Sequence, residues 1–106
     1  MGKELDPVNH NDIDKLVTYL GPVMEACRKR AGFTQAKLAE LLNCTPSTIS
    51  EFEKNQRTLK VNFLRDWAKV TNSNDVVVAF IYGEQAVREL IKKLKSEGFY
   101  KGEDLA

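Results

Sequence analysis

The sequence predicts an all-α fold, on three observations. Apolar residues recur three and four positions apart through most of the chain, which is the spacing of amphipathic helices. Glycine or asparagine stands after several of these segments, and both residues tolerate the left-handed backbone conformation of helix ends. Threonine precedes two segments in the manner of a helix cap. The 106 residues suffice for one domain with a core of its own.

The N-terminal part predicts a short helix followed by a longer one. Asn11 or Asp12 is a suitable cap for the short helix, and Gly21-Pro22 interrupts it. Because proline is tolerated at a first helical position, we expect the next helix to begin at Pro22. Gly32 stops that helix.

Two shorter helices are predicted next, with a tight turn between them. Thr34 caps the first, and Asn43 ends it. Thr45 caps the second, with Pro46 at its first position. Each boundary therefore has its own residue signal.

The second of these helices has an unusually polar surface. Ile49 and Phe52 are its only large apolar residues, and they lie three apart on one face. The other positions carry mainly small hydroxyl groups and carboxylates. Such a helix is poor core material, but it is well suited to lie in the major groove of DNA.

Three more helical segments are predicted towards the C-terminus. The apolar residues of 61–70 and of 84–96 follow helical spacing, and Gly98 ends the last helix. Residues 75–82 are ambiguous, because a short apolar run rich in valine also suits a buried strand. We favour a buried helix, capped at Asn74 and ended by Gly83, with the strand as the alternative.

The composition is that of an ordinary globular protein, with 42% hydrophobic and 29% charged residues. No apolar run approaches the roughly 18 residues that a membrane-spanning helix needs. Residues 1–11 are polar and acidic and contain no apolar signal-peptide core. We therefore expect a cytoplasmic protein that does not interact with membranes.

Few residues are suited to metal binding or catalysis. Cys27 and Cys44 are too few for a disulfide framework and do not form a CxxC pair, so we expect both to be reduced. His10 is the single histidine and lies in a polar segment. No nucleophile–base pair, metal cluster or phosphate loop is recognisable. The prediction is therefore a non-enzyme without metal or cofactor.

The net charge of +1 conceals an uneven distribution. Residues 21–70 carry nine Lys or Arg against five Asp or Glu, whereas the segments on either side are slightly acidic. The positive charge is concentrated around the two short helices. A surface that faces phosphates needs this arrangement.

Several residues at matching positions carry a family resemblance. They are Arg28, Gly32-Phe33-Thr34-Gln35, Leu38-Ala39, Asn43 to Thr45, Ile49, Ser50, Glu53, Leu64, Trp67, Ala68 and Phe80-Ile81-Tyr82-Gly83. With these residues the chain resembles the Cro/C1-type (XRE) helix-turn-helix regulators. The resemblance covers roughly residues 21–83. It implies a five-helix lambda-repressor-like DNA-binding domain, here with a short N-terminal helix and an extra C-terminal helix.

The resemblance also implies roles for individual residues, with the helix capped by Thr45 as the recognition helix. Arg28 and Glu53 match a family ion pair that ties the first helix of the domain to the end of the recognition helix. The residues expected to contact DNA bases are Thr45, Pro46, Ser47, Thr48 and Glu51. The residues expected to contact phosphates are Gln35, Ser50, Lys54, Asn55 and Arg57.

The side-chain chemistry limits what the base-contacting residues can read. Hydroxyl groups pair with several bases, and the Glu51 carboxylate can accept a hydrogen bond from cytosine N4. Pro46 can make only apolar contact, for instance with a thymine methyl group. The chain also departs from the family pattern at two places. Many members have glycine at the turn where this chain has Asn43, and many have proline before the fourth helix, where this chain has Leu59-Lys60.

Taken together, these features predict a transcriptional regulator that binds double-stranded DNA, most simply a repressor acting as a homodimer on a near-palindromic operator. Residues 75–96 are the expected dimer surface, unless they only complete the core. The alternative is an antitoxin-like or other protein-interaction module that holds a partner through residues 84–106. The expected division of the chain is a flexible tail (1–11), a helix-turn-helix domain (12–83), a C-terminal helix (84–98) and a flexible tail (99–106).

Overall fold

A computed structural model describes residues 15–105, which are helical without any strand. The predicted all-α fold is therefore confirmed for this part of the chain. Residues 15–17 are helical and are followed by a turn. The six helices after that turn are α1 (Leu20–Arg30), α2 (Gln35–Leu41), α3 (Pro46–Glu53), α4 (Val61–Val70), α5 (Asn74–Tyr82) and α6 (Glu84–Ser96).

The start of α1 differs from the prediction. The chain turns at Thr18–Tyr19, and α1 begins at Leu20 with Gly21 and Pro22 inside its first turn. The first amides of a helix have no intrahelical partner, so proline loses no hydrogen bond there. The expected caps of the preceding helix, His10 and the tail at 1–11 lie outside the described residues.

Most helix ends follow the predicted signals. The residues after α1, α2 and α6 that the sequence marks as stops, Gly32, Asn43 and Gly98, all have positive φ angles. Asn55 and Asn72 end α3 and α4 in the same left-handed conformation. Asparagine takes the place of glycine at these ends because its short polar side chain tolerates that conformation.

The valine-rich segment forms the helix α5, so the favoured interpretation is confirmed and the strand alternative is wrong. Its N-cap is Ser73 rather than Asn74, and Gly83 ends it with a φ of 113°. Val76 and Ala79, three residues apart, are buried. This spacing lets the segment bury one face against α4 and α6, which offsets the β-preference of its valines.

The core is built from contacts between consecutive helices and from α1, which also packs against helices further along the chain. α1 packs against α3 and α4, α2 against α3, and α5 against α4 and α6. Of the residues 15–105, no helix is long and apolar enough to cross a membrane. The largest side chains that are fully buried are Trp67, Met24, Leu38, Ile49, Ile91, Leu94, Val23, Val76 and Val87.

The C-terminal segment is packed, in contrast to the expected loose tail. Tyr100 and Leu105 are buried and belong to the core cluster. The backbone carbonyl of Asp104 accepts a hydrogen bond from Tyr19 at 3.3 Å, and Lys95 forms an ion pair with the Asp104 carboxylate. The burial of Tyr100 and Leu105 and these polar contacts together hold the short segment against the rest of the domain.

Candidate nucleic-acid interface

The helices α2 and α3 and the turn between them form the centre of the candidate interface. Thr34 caps α2 by accepting a hydrogen bond from the Lys37 amide at 3.0 Å. Asn43, with a φ of 56°, reverses the chain direction after α2. The Cys44 amide then donates a hydrogen bond to the Ala39 carbonyl at 2.9 Å. The sequence thus folds locally into the predicted pair of helices.

One face of α3 is turned away from the core. Ile49 and Glu53 are buried and Phe52 is half-buried on the opposite side. Because residues four apart in a helix share a face, Ser47 and Glu51 lie together on the outer side. The exposed or half-buried residues of that outer side are Pro46, Ser47, Ser50, Glu51 and Lys54.

The two threonines at the start of α3 serve the helix itself. The Thr45 hydroxyl accepts from the Thr48 amide at 3.2 Å and lies 3.0 Å from the Thr48 hydroxyl. Their hydroxyl groups therefore stabilise the N-terminus of α3. Ser47, which is exposed, has no such contact among the described hydrogen bonds and is the more available hydroxyl.

A buried ion pair fixes the other end of α3 to α1. Arg28 Nε lies 2.7 Å from Glu53 Oε2, and the Arg28 Nη2 donates to Glu53 Oε1 at 3.2 Å. A third Arg28 nitrogen donates to the Phe33 carbonyl at 2.8 Å. This bidentate geometry satisfies both charged groups in a buried site.

Gln35, which we expected on a phosphate, is joined to the same pair. Its Nε2 donates to Glu53 Oε1 at 3.0 Å. A side-chain amide has two N–H groups, so one remains for another acceptor. The first residue of α2 is therefore tied directly to the last residue of α3.

Asn55, also expected on a phosphate, connects α3 to the N-terminal side of α1. Its Oδ1 accepts from the Gly21 amide at 3.0 Å, and its Nδ2 donates to the Thr18 carbonyl at 2.7 Å. A Cβ atom on Gly21 would lie 2.6 Å from the Glu53 carbonyl oxygen. Only glycine permits this close approach, and no signal in the sequence marked it.

The remaining cations of the candidate interface differ in their surroundings. Lys54 is exposed directly after α3. Arg57 Nε lies 3.4 Å from Glu51 Oε2. The residue predicted to contact a phosphate therefore forms an ion pair with a residue predicted to contact a base. Lys60, which the residue signals did not single out, is exposed at the N-cap of α4.

An aromatic cluster packs between α3 and α4, on the side of α3 that is opposite to its polar face. The rings of Phe52 and Phe63 stack at 4.7 Å between centroids, and Trp67 meets both edge-on at 6.4 and 5.9 Å. This cluster packs the C-terminal half of α3 against α4. It therefore fixes the direction in which the polar face of α3 points.

The family comparison agrees with this geometry. The helix-turn-helix family model matches residues 24–75, which include α2, the turn and α3. Over this stretch the chain matches the Cro/C1-type (XRE) helix-turn-helix family. This is a family of DNA-binding regulators, whose members are not typically enzymes. Neither curated proteins nor solved structures give a significant match.

Proposed function

We propose that this protein is a sequence-specific transcriptional regulator whose helix α3 enters the major groove of double-stranded DNA. The observation that supports this most is the polar outer face of α3, held by a buried ion pair at one end and a threonine cap at the other. A rigid helix positions base-reading groups better than a mobile one. Ser47 is the leading candidate for base contact, because it is exposed while the hydroxyls of Thr45 and Thr48 are engaged with each other.

The phosphate contacts come from groups on both sides of α3. Lys54 carries an exposed positive charge at its end. Ser50 lies on the same outer face, and the remaining N–H of Gln35 stands at the N-terminus of α2, where backbone amides favour an anion. These contacts position the domain on DNA, whereas the side chains of α3 select the sequence.

A salt-titrated binding assay tests this function. The probe is the DNA upstream of the protein's own gene, and random DNA of equal length is the competitor. We expect tighter binding to the upstream DNA, and equal affinities for both would overturn specific recognition. Ser47→Ala should change site preference, and Lys54→Gln should weaken all binding and flatten the salt dependence by about one ion. Ser96→Ala, an exposed serine on α6, is the matched control.

The active form is a homodimer whose subunits pack through the outer face of α5. This dimer binds a near-palindromic operator. Val78, Ile81 and Tyr82 share that face and are 48%, 77% and 81% exposed. Large apolar side chains in a contiguous exposed patch are typical of interaction surfaces. A two-fold dimer would place two recognition helices about 34 Å apart, one turn of DNA.

Sedimentation of surface variants tests the dimer. Ile81→Lys places like charges opposite each other across a two-fold axis, so we expect a monomer with weakened operator binding. Val61→Lys changes another apolar residue, 83% exposed on α4, and should leave the dimer intact. A wild-type protein that stays monomeric at high micromolar concentration, with and without DNA, would overturn this proposal.

Repression is the proposed outcome, because a dimer bound across a promoter blocks access to it without a further interaction surface. A reporter gene behind the operator should lose expression when the protein is produced, and a rise in expression would contradict repression. The alternative of a protein-interaction module was expected to use residues 84–106, and the exposed α5 face offers a further surface for it. Co-purification of a partner that Ile81→Lys abolishes, with DNA binding unchanged by Ser47→Ala and Gln35→Ala, would favour that alternative.

A further inference from the structure

A pair of opposite charges lies on the outer side of α3. Glu51 is one turn beyond Ser47 on the same face, and its Oε2 lies 3.4 Å from Arg57 Nε. The side chains are 40% and 51% exposed, respectively. Both partners are therefore at the surface that α3 would turn towards DNA.

The backbone after α3 is folded so that these two residues meet. Asn55 adopts a left-handed conformation with a φ of 58° and is held through its side chain to Thr18 and Gly21. The Gln56 amide then donates to the Glu51 carbonyl at 2.8 Å. These contacts return the chain to α3 and place Arg57 beside the Glu51 side chain.

Electrostatics on DNA favours keeping the two charges together. An exposed pair contributes little to stability in water. Near phosphates, however, a lone carboxylate is repelled, and the repulsion grows as water is excluded. A neighbouring guanidinium cancels this charge, whereas the same guanidinium moved to a phosphate would leave Glu51 uncompensated.

We infer that Arg57 is a positioning residue, which neutralises Glu51 and directs its carboxylate to the amino group of a cytosine in the operator. This inference rests on the proposed function. A carboxylate oxygen not held by Arg57 accepts the cytosine N4–H. Arg57 thereby takes a role in sequence recognition in place of the phosphate contact that the resemblance implies.

Selection of preferred sites from a random DNA library, followed by affinities at several salt concentrations, tests the inference. The proteins are the wild type, Glu51→Gln, Arg57→Gln and the double variant. Lys54→Gln is the matched control, because it removes a cation from the same segment without an ion-pair partner in the described contacts. Circular dichroism confirms that each variant is folded.

We expect one operator position at which the wild type prefers cytosine by about tenfold. Either single variant should lose that preference, and Arg57→Gln should have less than about a twofold effect in the Glu51→Gln background. Uniform weakening by Arg57→Gln in both backgrounds, with a salt slope reduced as in Lys54→Gln, would overturn the inference and identify a phosphate contact. A specific site without this cytosine would also overturn it, while failure of the wild type to prefer any site would overturn the proposed function itself.

Discussion

The Arg28 guanidinium and the Glu53 carboxylate meet at 2.7 Å in a buried contact between α1 and the last residue of α3. The side chains are only 9% and 3% exposed. Because Gln35 donates to the same carboxylate, α1, α2 and α3 share one polar junction. The orientation of α3 therefore depends on a contact between residues 25 positions apart.

Removing one partner of this junction should strongly destabilise the fold. Glu53→Gln leaves the buried Arg28 charge with only the more distant Glu25 carboxylate, at 4.0 Å, so we expect a loss of about 3–5 kcal/mol in the free energy of unfolding. Urea denaturation measures this loss. Glu40→Gln, which removes an exposed pair with Lys37 at 3.6 Å, is the control and should cost less than about 1 kcal/mol. Equal losses for the two variants would show that the buried pair has no special role.

The substitution Gly21→Ala should displace the C-terminal end of α3, because α1 and α3 approach closely at this glycine. The new Cβ would lie within 2.8 Å of the Phe52 and Glu53 carbonyl oxygens and the Asn55 side chain. We expect Gly21→Ala to cost about 1–3 kcal/mol and also to weaken DNA binding, because the end of α3 has to move.

Gly32→Ala is the matched comparison for that variant. A Cβ there meets nothing within 4 Å, but the φ of 81° strains an alanine. We expect a loss of about 1–2 kcal/mol with the DNA affinity of the folded protein retained. If Gly21→Ala also retained full affinity, the proposed coupling between Gly21 and α3 would be wrong.

The two thiols should react at very different rates in the folded protein. Cys27 is fully buried, and burial raises its pKa to about 11. Burial also raises the pKa of Cys44, but this residue is only half-buried, in the turn before α3. A maleimide at pH 7 should therefore modify Cys44 first, and mass spectrometry follows the reaction.

The variant Cys44→Ser isolates the slower thiol. Its single cysteine should react only at the rate at which the protein unfolds, and urea should accelerate that reaction. Rapid modification of Cys27 in the native variant would contradict the packing of α1.

The buried phenol of Tyr100 should make stability depend on alkaline pH. Burial, together with the neighbouring Tyr19, Asp104 and Glu103, raises its pKa from 10.0 to about 12. A pKa raised by folding contributes stability that is complete below pH 10 and is lost as the pH rises towards 12. Unfolding free energies between pH 9 and 12 should therefore fall less steeply for Tyr100→Phe than for the wild type. The loss of the hydrogen bond to Glu103 shifts the variant's free energy by the same amount at every pH. If the free energies of the two proteins fell in parallel with pH, the prediction would be contradicted.

Local signals in the sequence were sufficient for much of the fold. Thr34 and Thr45 with Pro46 marked the starts of α2 and α3, and Gly32, Asn43 and Gly98 marked helix ends. These signals act within one or two helical turns, since a cap bonds an amide two or three residues away. The polar face of α3 could be predicted for the same reason, because helical periodicity fixes which residues lie together.

Only the tertiary structure decided which contacts the polar side chains around α3 make within the protein. By residue type the amides of Gln35 and Asn55 suit phosphates equally well, and folding in addition places them against Glu53 and Gly21. The valines of α5 favour a strand locally, and it is burial against α4 and α6 that makes the segment helical. Contacts of this kind join different helices, so their energies depend on how the helices pack and not on the pattern within one segment.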